Sequence, residues 1–268
     1  MTPLVDYHIH TTLCNHATGS SKEYIEHALK MGLKEIGFSD HAPLVSHRDP
    51  SVTMDFSDLP EYYAIMENAR SQYKNEIIIK RGIEADFIPG YEEKTKAILD
   101  EYPYDYVYGS VHYIKKWGFD DPIQRQKWED KNIDEVYQAY FELLRQSAMS
   151  GLFDIMGHVD LIKKFGHRAK QDLKDDIHKT AEVFKECGVA IEINTSGLRK
   201  QVKEIYPSQH DLKIYSEHNV PIVFGSDAHA PEQVAMNYTE AVELAQSVGY
   251  TEYLTFKNRK VENTLPIE

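Results

Sequence analysis

Residues 5–16, VDYHIHTTLCNH, carry a short apolar run directly into His8, His10 and His16. Two histidines two apart on a strand share one face for geometric reasons alone, so H-x-H by itself is weak evidence. The same pattern recurs, however, along the whole chain. KEIGFSDH ends in Asp40 and His41, IIIKRGIE in Glu84, YDYVYGSVH in His112, FDIMGH in His158, and PIVFGSDAH supplies Asp227 and His229. Six apolar runs therefore end in imidazole or carboxylate groups. Parallel strands whose carboxyl ends converge on one rim turn such residues into a site, so the pattern predicts a multinuclear metal centre at the C-terminal mouth of a barrel.

Between the runs lie helical patterns. Strand-like segments at approximately 4–8, 34–39, 77–84, 105–111, 153–158, 189–194 and 221–226 alternate with SKEYIEHALKMG, DLPEYYAIMENARSQY, YEEKTKAILDEY, IDEVYQAYFELLRQSAM, KDDIHKTAEVFKECG, SQHDLKIYSEHN and PEQVAMNYTEAVELAQSVG. Seven strand-then-helix units imply parallel strands joined by right-handed crossovers. No glycine-rich phosphate loop supports a dinucleotide fold instead. Two connections exceed the usual few residues, 42–56 after the second strand and 113–131 after the fourth. On a ligand-bearing rim, long loops serve as substrate walls or lids; packing on Trp117 and Trp128 is the alternative reading.

Composition sets the class. The 268 residues are 41% hydrophobic, enough to bury one large core, and residues 1–268 are expected to form a single domain. No apolar run approaches the length of a membrane span, and donor-type residues begin at His8, so neither a membrane segment nor a signal peptide is expected. Two cysteines, Cys14 and Cys187, make no disulfide framework, which suits a reducing cytoplasmic setting. Cys14 is read as a buried thiol outside the metal set. The net charge of −13 argues against nucleic acid as a partner but leaves a small phosphate ester possible, since metal cations reverse the local potential. Oligomeric state is not legible. His27, His178, His210 and His218 fall in helical patterns and are assigned surface or packing roles, while His47 and His167 lie on rim loops and stay open.

Taken with DYHIHTTLCNH, the segments GFSDHAP, GIEAD, GSVH, GHVDLIKKFG, EINTSGLRK and FGSDAH occur in an order that resembles the polymerase and histidinol phosphatase superfamily, specifically its histidinol-phosphate phosphatase branch. The resemblance covers nearly the full length. It implies an α/β fold, a distorted seven-stranded (β/α) TIM-like barrel, with three divalent metals at the C-terminal face. His8, His10, Glu84 and Asp227 would hold the first metal. Glu84 would bridge to a second, completed by His112 and His158, and His16, His41 and His229 would hold the third. Imidazole and carboxylate donors suit zinc, iron or manganese alike. Asp40 is expected to orient the neighbouring His41 ring rather than to ligate.

The implied reaction is hydrolysis of L-histidinol phosphate to L-histidinol and inorganic phosphate, a step of histidine biosynthesis, by a metal-bridging hydroxide attacking phosphorus in line. Asp227 manages the proton of the attacking water by analogy with the family. The sixth strand alone ends without a metal donor, in EINTSGLRK. There Arg199, with Arg168 after the fifth strand, is expected to clamp the phosphate, and Ser196 to add a hydroxyl. The substrate amine needs a further carboxylate, for which Asp160 and the acids of the two long loops are candidates. Two other readings compete: a related phosphodiesterase or nuclease acting on nucleotides, and a non-catalytic metal-binding barrel. An amidohydrolase would be expected to have eight strands and often a bridging lysine.

Overall fold

The computed structural model describes residues 5–267, so Leu4, at the start of the first expected strand, lies outside the described residues. In chain order the principal elements are β1 (Val5–Ile9), α1 (Ser21–Lys30), β2 (Glu35–Phe38), α2 (Leu59–Gln72), β3 (Ile78–Arg81), β4 (Glu84–Asp86), α3 (Glu92–Leu99) and β5 (Tyr108–Ser110). There follow β6 (Tyr113–Ile114), β7 (Trp117–Gly118), α4 (Ile133–Met149), β8 (Ile155–Met156), α5 (Lys174–Cys187) and β9 (Ala190–Asn194). The chain ends with α6 (Gln209–Glu217), β10 (Ile222–Gly225), α7 (Tyr238–Ser247), β11 (Glu252–Lys257) and β12 (Lys260–Pro266).

Local chemistry sets the helix limits. The Ser20 side chain accepts the Glu23 amide hydrogen while Glu23 accepts from the Ser20 amide, a reciprocal cap that starts α1. Asn132 and Ser208 cap α4 and α6 in the same sense. Gly188 ends α5 at φ 72°, a left-handed turn that side chains resist and that lets its N–H reach back to the Phe184 and Lys185 carbonyls.

The strands form two parallel sheets, β1-β2-β3 and β10-β9-β8-β5-β4. β3 and β4 are halves of the third expected strand, interrupted at Gly82 and Ile83. The interruption has a physical cause. The Tyr106 ring lies against Gly37 and Gly82, where any Cβ would overlap it, and its hydroxyl donates to the Tyr7 carbonyl at 2.7 Å. Tyr62 then donates to the freed Gly82 carbonyl at 2.8 Å. On the far side the two sheets meet through a parallel bridge between Ile9 and Ala228. There His10 N–H donates to the Ala228 carbonyl and Ala228 N–H to the His8 carbonyl, both at 3.0 Å. All seven expected strands are present, parallel, with their carboxyl ends on one rim.

Several boundaries differ from the sequence expectation. The fourth and fifth strands are shorter, because the Val107 N–H leaves the ladder for the Asp154 carboxylate at 2.9 Å. The helix expected over 231–249 begins only at Tyr238. The buried Asp6 carboxylate accepts the Ala235 N–H at 2.9 Å, and Ala235 and Asn237 turn left-handed (φ 54° and 63°) before α7 starts. The antiparallel hairpin β11–β12 was not foreseen. β12 is almost wholly exposed and polar, whereas β11 packs Tyr253 edge-on against Phe224 of β10, with ring centroids 5.6 Å apart. Among the described residues, no helix is long and apolar enough to cross a membrane.

Candidate metal centre

Backbone pairing at the rim brings the donor side chains together. Glu84, at the start of β4, is buried at their centre. Its Oε2 lies 3.1 Å from His8 Nε2 and 3.0 Å from His41 Nδ1. Its Oε1 lies 3.0 Å from His158 Nε2 and accepts the Ser110 hydroxyl at 2.6 Å. His10 Nε2 and His112 Nε2 stand 3.7 Å from Oε2 and Oε1. Asp227 Oδ1 is 3.3 Å from both His10 Nε2 and His229 Nδ1. The His16 ring lies tilted against that of His229, centroids 4.5 Å apart. All nine sequence-predicted donors thus join one continuous cluster. Subsets such as His8–His10–Asp227, His41–Glu84–His112 and His10–His41–His229 each have donor atoms within 4.8 Å of one another, so the sets overlap instead of standing apart.

The cluster suits cations. His10 Nε2 and His229 Nε2 are buried without a hydrogen-bond partner, a costly arrangement unless something else meets those lone pairs. Burial would raise the Glu84 carboxyl, but the His41 and His8 imidazoles and the His158 hydrogen bond outweigh it and hold the group well below the usual carboxylate range. Asp227 behaves alike, burial being overcome by His8, His10 and His229. Burial together with the nearby His10 charge holds His229 well below the ordinary imidazole range, neutral and ready to ligate. For His112, burial opposes charge but Asp86 prevails and raises the imidazole to about 10. His8 and His10 are raised in the same way, against burial, by Glu192 and Glu84 for the first and by Asp227 and Asp40 for the second.

Three carboxylates stand behind the donors. Glu192 Oε1 is 2.7 Å from His8 Nδ1, Asp86 Oδ1 is 3.0 Å from His112 Nδ1, and Asp40 Oδ1 is 3.3 Å from His10 Nδ1. The last corrects the sequence reading. Asp40 orients the ring of His10, not that of its neighbour His41, whose backbone N–H it accepts instead at 2.8 Å. Glu192 and Asp86 had no assigned chemistry. The only available signal was their place at a strand end for Asp86 and two residues inside one for Glu192, where a side chain reaches a neighbouring strand's donor.

A cavity of about 430 Å³ opens over the cluster, reached by His16, His41, His158, Asp227 and His229. Both long loops supply its walls, through Asp49 and Thr53 from one and Tyr113, Asp120 and Asp121 from the other. Trp117 and Trp128 of the second loop are buried and pack together, so wall and packing roles coexist. Ser196 lines the cavity and donates to Asp227 Oδ2 at 2.9 Å. The two arginines are placed differently. Arg199 turns inward, its Nη2 donating to the Ser226 and Asp227 carbonyls at 2.6 and 3.0 Å, with Nη1 buried and unpartnered. Arg168 pairs with Glu204 at 2.7 Å, its side chain about half exposed, and neither arginine is part of the cavity wall, where both were expected to clamp phosphate. The cations that line the wall are Arg125, Lys164 and Lys200, which sequence reasoning did not single out. Asp160 is likewise removed, buried against Lys163 at 2.6 Å and the Ser208 amide at 2.8 Å.

Parallel strands that gather imidazoles and carboxylates at their carboxyl ends, beneath a loop-walled cavity, define the class of (β/α) proteins built around a cluster of metal-donor side chains. The chain belongs to the PHP domain family, whose model matches residues 6–196. It is 39% identical to a Deinococcus radiodurans protein named "Probable histidinol-phosphatase", over 98% of this chain and all of that one. It is 29% identical to the histidinol-phosphatase of Bacillus subtilis, over 89% of this chain and 98% of the relative. A crystal structure of the Lactococcus lactis histidinol phosphate phosphatase, complexed with zinc, L-histidinol and phosphate, superposes with a TM-score of 0.84, covering 97% and 99% of the two chains at 21% identity; it supports the fold.

Proposed function

We propose that this chain is a metal-dependent phosphomonoesterase that hydrolyses L-histidinol phosphate to L-histidinol and inorganic phosphate, in histidine biosynthesis. The observation that carries the chemistry is the Glu84 carboxylate, with imidazole nitrogens of His8, His41 and His158 at 3.0–3.1 Å. The substrate is supported by full-length likeness to histidinol-phosphatases. We read residues 1–268 as one functional unit working in the cytosol; its two cysteines, one buried and one exposed, are both free.

We assign His8, His10, Glu84 and Asp227 to a first divalent metal. His112 and His158 would share Glu84 for a second, and His16, His41 and His229 would hold a third, each zinc, iron or manganese. When bound, such metals supply a nucleophile from water at neutral pH and positive charge for the phosphate. The protein's own groups supply the rest. Asp227, held as a carboxylate, takes the proton of the attacking water at the oxygen that Ser196 already orients. Arg199 holds the Asp227 backbone, where φ is 52°, through its two carbonyl contacts. The acids of the two rim loops face the positively charged end of the substrate. Steady-state kinetics on L-histidinol phosphate, with and without chelator, test the proposal; absence of metal-dependent turnover defeats it.

A further inference from the structure

Glu192, in the middle of β9, is completely buried beneath the donors, and nothing in the proposed reaction uses it. A carboxylate taken out of water is costly unless its lone pairs meet donors. Three donors from three places in the chain converge on this one. His8 Nδ1 on β1 lies 2.7 Å from Oε1, the backbone N–H of His158 beyond β8 is 3.0 Å from Oε2, and Asn194 Nδ2 is 2.9 Å from Oε2. Room is kept by Gly225 on the adjacent β10, where a Cβ would overlap the Glu192 carboxylate.

We infer that Glu192 is the positioning residue that fixes the tautomer of His8 and the backbone of His158, so that both rings present Nε2 toward the shared Glu84 carboxylate. The inference rests on the assignment of these histidines as metal donors. A carboxylate facing Nδ1 keeps the proton there and leaves the Nε2 lone pair for the cation. His158 has φ 27°, a conformation that side chains rarely adopt and that persists only where neighbouring contacts over-determine it. The Glu192 hydrogen bond to its amide is one such contact. One side chain thereby sets donors on both sides of Glu84. His16 and His229 do not depend on it, because their Nδ1 atoms face the Cys14 and Asp227 carbonyls at 2.8 and 3.1 Å.

The distinction gives a test with readouts other than turnover. All three partners of Glu192 donate, so Glu192→Gln sets an amide NH₂ against a donor and favours the opposite tautomer of His8. Zinc titration of the full chain against a competing chelator should show two equivalents bound roughly 10- to 100-fold more weakly in Glu192→Gln. The third equivalent should keep its wild-type affinity. Nitrogen-15 NMR of histidine-labelled, zinc-loaded wild type should show His8 protonated at Nδ1. Equal affinity for all equivalents in the variant, or His8 protonated at Nε2 in the wild type, overturns the inference. Should the variant not fold, the wild-type tautomer decides alone. A wild-type protein that takes up no zinc, iron or manganese overturns the donor assignment itself, a result distinguishable from both.

Discussion

Glu84 and His41 are joined twice: their backbones form an isolated parallel bridge, and His41 Nδ1 lies 3.0 Å from Glu84 Oε2. Backbone pairing between the ends of the second and third strands thus delivers an imidazole to the carboxylate that five histidines approach. Glu84→Gln removes one negative charge from the centre of the cluster and should release two metal equivalents together. His16→Ala should weaken one equivalent only. Metal analysis of protein purified without chelator should approach three equivalents in the wild type, and activity of Glu84→Gln should fall by more than about 100-fold, beyond the range expected of an outer partner.

Metal uptake should release protons. In the metal-free protein His8, His10 and His112 are raised above the ordinary imidazole range, His112 to about 10, so they hold protons at pH 7 that a cation must displace. Apparent metal affinity should therefore increase as pH rises through neutrality toward 10. Calorimetric titration in buffers of different ionisation enthalpy measures the protons released; an affinity that is independent of pH contradicts the assigned charge states.

The two arginines should separate. Arg199→Ala leaves the Ser226 carbonyl without its donor, while the Asp227 carbonyl keeps His229 Nδ1 at 3.1 Å, and this should lower stability by about 1–3 kcal/mol. It should also reduce kcat/KM for the phosphomonoester. Arg199→Lys should restore the charge but only part of the geometry. Arg168→Ala removes a half-exposed pair with Glu204 and should change stability by less than about 1 kcal/mol, with kinetics near wild type. Chemical denaturation and steady-state kinetics on the same variants check both statements.

What was legible in the sequence follows from range. The gathering of side chains near strand ends could be read because an apolar run fixes the strand and the strand fixes where the residues around its end stand. For His8, Glu84 and Asp227 to meet, nothing more was needed. Arg168 and Arg199 could not be placed that way, since a long side chain chooses among partners such as Glu204 or the Ser226 carbonyl that lie far along the chain. The break at Gly82 depends on Tyr106 packing across two strands, and the late start of α7 depends on Asp6 reaching Ala235. Such long-range contacts leave no periodic trace. Nor did the β11–β12 hairpin, whose outer strand buries too little to show an alternating pattern.

The proposed activity is metal-dependent cleavage of a phosphomonoester that carries a positively charged group. The most direct test compares kcat/KM of the metal-loaded protein on L-histidinol phosphate, an uncharged alkyl phosphate and a bis-ester, before and after chelation. Clear preference for L-histidinol phosphate is expected, with loss of turnover on chelation and recovery on adding zinc, iron or manganese. Equal or better turnover of the bis-ester, or turnover of L-histidinol phosphate that survives complete metal removal, would contradict it.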